Sequence, residues 1–220
     1  MLFKAVLSDL DGTAHGTEET FERELVPYLQ THLPAWKKED YAGFVGLTNE
    51  QIHGKLSREF GFKMTESQFL EEMGLLGDRV YQKSTLFPGY LKFLKTCRAH
   101  GKGLGLVTNS PRKWLDIFIE RFSLDALIGT SVSVSDNRGY GKPHPDLYLA
   151  AAQDLQVSPR ECVVLEDSFV GIQAAKAAKM GYIVGYLNGH NTADTLIEAG
   201  ADSIVSDYDS LFDALDYWAD

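Results

Sequence analysis

Apolar residues along this chain gather into short runs, each closed by a polar or turn-forming group: "FKAVLSD", "GLGLVTNS", "LIGTSVSVSD", "ECVVLEDS", "GYIVGY" and "ADSIVSD". Runs this short, mostly rich in Val, Ile or Leu and with little polar alternation, predict strands buried on both faces of a parallel sheet. Between most of them the pattern shifts to a helical period. "SPRKWLDIFIERF" offers Ser110 as an N-cap and Pro111 at the first helical position. "HPDLYLAAAQDL" and "SFVGIQAAKAAKMG" follow, the second closing on Gly181 as the expected C-cap. Its "AAKAAKMG" run reads as tight helix packing. Strand alternating with helix predicts a doubly wound, Rossmann-like α/β fold.

One stretch departs from the alternation. From Ala14 to about Leu86 there is helical pattern only. "TEETFERELVPYLQTHL" is amphipathic, and Thr48 to Gln51 and Thr65 to Gln68 both have capping-box spacing. The expected organisation is therefore discontinuous: an α/β core of residues 1–13 and 88–220, carrying an inserted helical cap of residues 14–87.

With 220 residues, 44% of them hydrophobic, the chain has enough apolar material for a sizeable core. Lys and Arg number 21 against 31 Asp and Glu, a formal net charge of −10. That balance argues against nucleic acid or an anionic membrane as partner, since both need a basic footprint. Cys97 and Cys162 are far apart and read as reduced packing cysteines. The apolar N-terminus is broken by Asp9, too early for a signal peptide, and no run reaches membrane-spanning length. A cytoplasmic protein, monomeric or weakly dimeric, is expected.

In a doubly wound sheet, ligands gather at the carboxyl ends of the strands near the topological switch point. Polar clusters follow several of the predicted strands at that end: Asp9 and Asp11, Thr108-Asn109-Ser110, and Glu166-Asp167-Ser168. Lys142 sits in "GYGKPHPDLY", a loop punctuated by Gly and Pro after the third strand. A lone Asp-x-Asp at a strand end is usually a turn or capping device. Here the other clusters turn the reading towards chemistry. Ser110 can serve as a cap alone. Glu166 stays open between metal ligand and helix N-terminal acid. His15 and His144 read as solvent-facing or loop residues.

The motifs "DLDGT" (9–13), "VTNS" (107–110), "GKPHPD" (141–146) and "EDSFVGIQAAKAAKMG" (166–181) together resemble the haloacid dehalogenase-like hydrolase superfamily. The branch resembled carries a helical cap after the first motif and includes phosphoglycolate phosphatases and β-phosphoglucomutases. The motifs stand in the family's order and, with the inserted helices, account for nearly the whole chain.

The resemblance implies Mg²⁺-dependent hydrolysis of a small phosphorylated metabolite through an aspartyl-phosphate. Residue chemistry agrees. Phosphoryl transfer needs an in-line nucleophile, neutralisation of the equatorial oxygens and a proton for the leaving group. Asp9 is the expected nucleophile and Asp11 the general acid, then base. Two acids facing a phosphate repel it, so a hard divalent cation is required. Asp9, the Asp11 carbonyl and Asp167 are its expected holders, with Glu166 beside them. Lys142 supplies a point cation. The Thr108 hydroxyl and Asn109 backbone N–H are expected on phosphoryl oxygens, with Gly12 and Thr13 in the phosphate-binding turn.

Mutases of this branch usually carry a histidine about ten residues past the second Asp, where Phe21 stands here. An inactive binding protein is a weaker alternative, given the intact motifs. Substrate choice is expected in the cap, around "FVGLTNEQIHGKL" (44–56), with Thr48, Asn49 and Lys55 as candidates. Generic aryl phosphates are expected to turn over slowly and small metabolites faster. After Gly-Thr, relatives usually place a large aliphatic residue and then an Asp-Ser pair. Ala14 and Gly16-Thr17 here predict a smaller, looser hinge, with Thr17 capping the first inserted helix.

Overall fold

The computed structural model describes residues 3–44 and 47–212. Val45 and Gly46 of the expected specificity loop, and the two ends of the expected core, lie outside the described residues. Six strands form one sheet: β1 (Ala5–Ser8), β2 (Gly103–Thr108), β3 (Thr130–Ser133), β4 (Cys162–Glu166), β5 (Tyr182–Tyr186) and β6 (Ser203–Val205). Each predicted apolar run supplies one of them. Their order is β3-β2-β1-β4-β5-β6, and every pairing is parallel. The chain winds outward from β1 to β3, then returns to β4 on the other side of β1. That reversal puts the switch point at the carboxyl ends of β1 and β4, which is where the acids are.

The helices are α1 (Glu18–His32), α2 (Asn49–Phe60), α3 (Glu66–Lys83), α4 (Tyr90–Ala99), α5 (Arg112–Arg121), α6 (Asp146–Asp154), α7 (Phe169–Ala177) and α8 (Ala193–Ala199). Period-two burial sorts the strand residues between the sheet's two faces. Ala5, Leu7, Val107, Val164 and Ile183 join one apolar cluster with residues of α6, α7 and α8. Val6, Leu104, Leu106, Val163 and Leu165 join another, which includes α4 and α5. This second cluster runs on without a break into Leu25, Leu29, Phe69, Met73 and Val80 of the inserted helices. Among the described residues no helix is long and apolar enough to cross a membrane. Cys97 and Cys162 are buried and unbridged, and burial pushes both thiols up to about 12.

Both predicted capping boxes form, Thr48 with Gln51 and Thr65 with Gln68. Other ends differ from the sequence reading. Thr17 stands at the N-cap of α1 but makes no side-chain capping bond, and α5 is capped by Pro111 rather than Ser110. Both hydroxyls are drawn into the site instead. Helix α7 stops at Ala177 with Ala178 as its cap, and Lys179 takes the left-handed conformation at φ 58. Gly181 serves close approach, not capping: a Cβ there would lie 2.1 Å from the Arg160 carbonyl oxygen.

The expected loose hinge is paired instead. Entry and exit of the inserted segment bridge at His15 and Leu86, with Gly16 N donating to Thr85 O and Phe87 N to Ala14 O. Ala14 is fully buried.

Candidate active site

Strand β1 delivers Asp9. Its backbone N–H continues the ladder to Leu165 O at 2.9 Å, so the side chain leaves the sheet at a set height beside β4. Gly12 turns the chain at φ +80, and a Cβ there would sit 2.2 Å from Asp167 Oδ2. Glycine is required by the conformation and by the carboxylate packed against it.

Lys142 is buried between two acids. Its Nζ donates to Asp9 Oδ1 at 2.5 Å, to Glu166 Oε1 at 2.5 Å and to Val107 O at 3.0 Å. Burial alone lowers a lysine, but Asp9 and Glu166 outweigh it and raise this one. Asn109 sets the loop by clamping the Lys142 backbone: its Oδ1 accepts from Lys142 N and its Nδ2 donates to Lys142 O.

Glu166 is fully buried and its carboxylate is occupied. Oε1 accepts from Lys142 and from Tyr148 Oη at 2.8 Å. Oε2 accepts from Asp167 N, Ser168 N and Ser168 Oγ. Asp9, Glu166 and Asp167 bring ligand oxygens within 4.8 Å of one another. Through these bonds Glu166 ties Lys142 and Tyr148 to the start of α7.

Asp167 accepts from Thr13 Oγ1 at 3.0 Å and from Asn188 Nδ2 at 2.7 Å. Three buried carboxylates with oxygens within 4.8 Å of one another, against one ammonium, leave uncompensated negative charge. Burial, with Glu166 and Asp11 nearby, accordingly pushes Asp9 up against the opposing pull of Lys142. Hard oxygen donors and excess negative charge fit a Mg²⁺ ion.

Asp11 is held differently. Tyr81 Oη donates to both of its oxygens at 2.5 Å, Thr17 Oγ1 to Oδ1 at 2.9 Å and Ser110 Oγ to Oδ2 at 2.7 Å. His15 Nε2 lies 3.4 Å from Oδ1, while its Nδ1 pairs with Ser84 Oγ at 2.8 Å. Burial alone raises Asp11, but His15 and the hydroxyl donors bring it below its ordinary value. His15 is thus fully buried against Asp11 rather than solvent-facing, whereas His144 is exposed as expected.

Asp9, Asp11, Thr108, Asn109, Lys142 and Asp167 line one cavity, with Asn49 from the inserted segment. Other expected residues do not face it. The Thr13 hydroxyl is used on Asp167. Thr48 Oγ1 accepts from Gln51 N as a cap, and Lys55 pairs with Glu59 at 3.1 Å. Sequence reading missed Tyr81 and Asn188 as site residues, and it took Ser110 for a cap although it stands inside the quoted "VTNS". Nothing in local pattern marks Tyr81, which lies 70 residues from Asp11 on a helix.

The sequence model described as haloacid dehalogenase-like hydrolase matches residues 3–179. A bifunctional riboflavin kinase/FMN phosphatase of Arabidopsis thaliana is 29% identical over 177 residues, 80% of this chain and 47% of that protein. The chain thus spans about half the length of that relative. A phosphorylated carbohydrates phosphatase of Thermotoga maritima is 26% identical over 203 residues, 92% of this chain and 94% of the relative. The crystal structure of a hydrolase from Pseudomonas syringae matches with a TM-score of 0.85 at 26% identity, covering 99% of this chain and 100% of that one.

Proposed function

The chain belongs to the haloacid dehalogenase-like hydrolases, and on that premise we propose that it hydrolyses a small-molecule phosphomonoester through a phosphoryl group carried on Asp9. It is an enzyme of the phosphoric monoester hydrolase type. The observation that carries the proposal is the convergence of Asp9, Asp11, Lys142 and Asp167 on one cavity.

In the first half-reaction an Asp9 oxygen attacks phosphorus in line, and the bond from phosphorus to the leaving oxygen breaks. Asp11 gives that oxygen its proton. In the second, water attacks phosphorus while Asp11 takes a proton back, and the bond to Asp9 breaks to release orthophosphate. The hydroxyl donors around Asp11 hold it ionised when no substrate is bound. The proton it gives the leaving oxygen arrives on the monoanionic ester, and the one it takes from water departs with orthophosphate. Lys142 offsets charge on Asp9, and the Thr108 hydroxyl and Asn109 N–H hold phosphoryl oxygens. Asp9, Asp167 and the Asp11 carbonyl are the groups that would hold Mg²⁺, with Glu166 beside them accepting from the Asp167 backbone N–H. The ion supplies charge neutralisation on the phosphate.

A mutase reading finds no support at Phe21, whose ring packs against Trp114 with centroids 6.0 Å apart. The enzyme acts in the cytoplasm as a monomer or weak dimer, away from nucleic acid and membranes, in keeping with its net charge of −10.

Assay of wild type and Asp9→Asn with and without Mg²⁺ tests the scheme. Expected is a loss of about 10³-fold or more in kcat on substitution, and dependence on the ion in wild type. Equal activity in the two proteins would sink the nucleophile assignment. Phosphorus NMR showing an isomeric sugar phosphate instead of free phosphate would establish the mutase.

A further inference from the structure

The cavity above the acids has two unlike halves. Its floor is polar and charged. Its roof and walls are apolar: Phe21 and Leu25 from α1, Met73 from α3 and Trp114 from α5. Phe44, Leu47 and Ile52 add to them from the segment around the start of α2. Among the described residues, Asn49 is the polar side chain that the inserted segment contributes to this lining. The cation in the lining is Lys142, whose Nζ already donates to Asp9, Glu166 and Val107 O. Counting the solvent at its open mouth, the space measures about 740 Å³.

One wall is rigid and flat. The Trp114 indole stacks on Tyr81, with centroids 5.3 Å apart and planes 27° apart. Its Nε1 donates to Asp78 at 3.2 Å. It lies so close to α3 that a Cβ on Gly77 would meet Cζ2 at 1.8 Å. The ring is therefore held by hydrogen bonding on one edge and by packing on its face.

Resting on the phosphatase reading, we propose that the leaving group is an uncharged, flat apolar alcohol, aryl or heteroaryl in character, lodged against Phe21 and Trp114 above the phosphoryl site. A polyol placed against these walls meets, among the described residues of the inserted segment, Asn49 alone as a polar partner, and each unpaired hydroxyl weakens binding. A second anionic group finds no uncommitted cation among the described lining residues. A flat ring gains burial and aromatic contact without needing polar partners. This reverses the expectation that an aryl-bearing ester is a slow surrogate for the real substrate.

The test compares primary-alcohol monoesters of similar leaving-group basicity, so that chemistry is matched and only the cavity differs. Steady-state kinetics are measured with 2-phenylethyl and 2-(1-naphthyl)ethyl phosphate against glycerol 1-phosphate and glucose 6-phosphate. The arylalkyl esters are expected to lead by about a hundredfold or more in kcat/KM. Leu47→Asn and Ile52→Asn, polar exchanges at half-buried lining positions, are expected to narrow that lead by about tenfold. Polyol esters turned over as well or better overturn the assigned substrate class and leave the phosphatase reading standing. An unchanged lead in both variants overturns the placement of the ring. Absence of phosphate release from every ester, p-nitrophenyl phosphate included, overturns the phosphatase reading and this one with it.

Discussion

At the scale of single residues, the two acids of the first motif live in opposite surroundings. Asp9 faces an ammonium and two further carboxylates, while Asp11 is ringed by hydroxyls. The Tyr81 hydroxyl touches both Asp11 oxygens and aims the carboxylate at the cavity. Tyr81→Phe leaves Ser110 and Thr17 in place, so the acid stays charged but is less well aimed. We expect kcat to fall by about tenfold with KM little changed, since proton transfer suffers from misplacement more than binding does. An unchanged kcat would remove Tyr81 from the machinery. Asp9 and Asp11 were legible because strand, turn and motif lie within one short stretch. Tyr81 was not, because helix periodicity marks it only as one more inward-facing aromatic.

At the scale of elements, two contacts decide how the parts seat. Helix α3 meets α5 through Gly77, where the Trp114 indole occupies the space of a Cβ. Gly77→Ala should destabilise the protein by about 1–3 kcal/mol through overpacking, read from urea unfolding midpoints. It should also weaken aryl esters by displacing the wall. Wild-type stability would show that α3 can yield.

Helix α5 is tied to β3 and the turn after it by Arg112, whose Nη2 donates to Ser131 O at 2.8 Å and whose Nε donates to Asp136 Oδ1 at 2.9 Å. Burial works to raise Asp136, but the Arg112 hydrogen bonds prevail and hold it below the usual carboxylate value. A lowered carboxyl contributes stability above its unfolded value and loses it as pH falls through its folded one. Arg112→Ala should therefore cost about 1 kcal/mol at neutral pH, discounted for partial exposure. The gap from wild type should narrow below about pH 4. A gap that holds constant down to pH 2 would show the pair is not ionic.

For the whole molecule, winding order brings distant acids together and leaves their charge uncompensated. Mg²⁺ binding the folded state alone stabilises it by mass action, about 2.7 kcal/mol at a hundred times Kd. Millimolar Mg²⁺ should raise the melting temperature of wild type by several degrees and leave Asp167→Asn unmoved. Equal shifts in both proteins would place the ion elsewhere. Calorimetry makes this independent of catalysis.

Every strand, both capping boxes and the order of the acidic motifs followed from the sequence alone. Burial on two faces, helix starts and tight turns are encoded over a few neighbouring residues. The expected cap ends at Thr17, Ser110 and Gly181 failed for a common reason: a partner outside the helix competed for the hydroxyl or the space. Which donors surround Asp11, that Thr13 serves Asp167 across 154 residues, and that apolar side chains from separate elements close over the acids were decided by tertiary structure. Such contacts carry no spacing signal, because folding sets their separation in space without regard to separation along the chain.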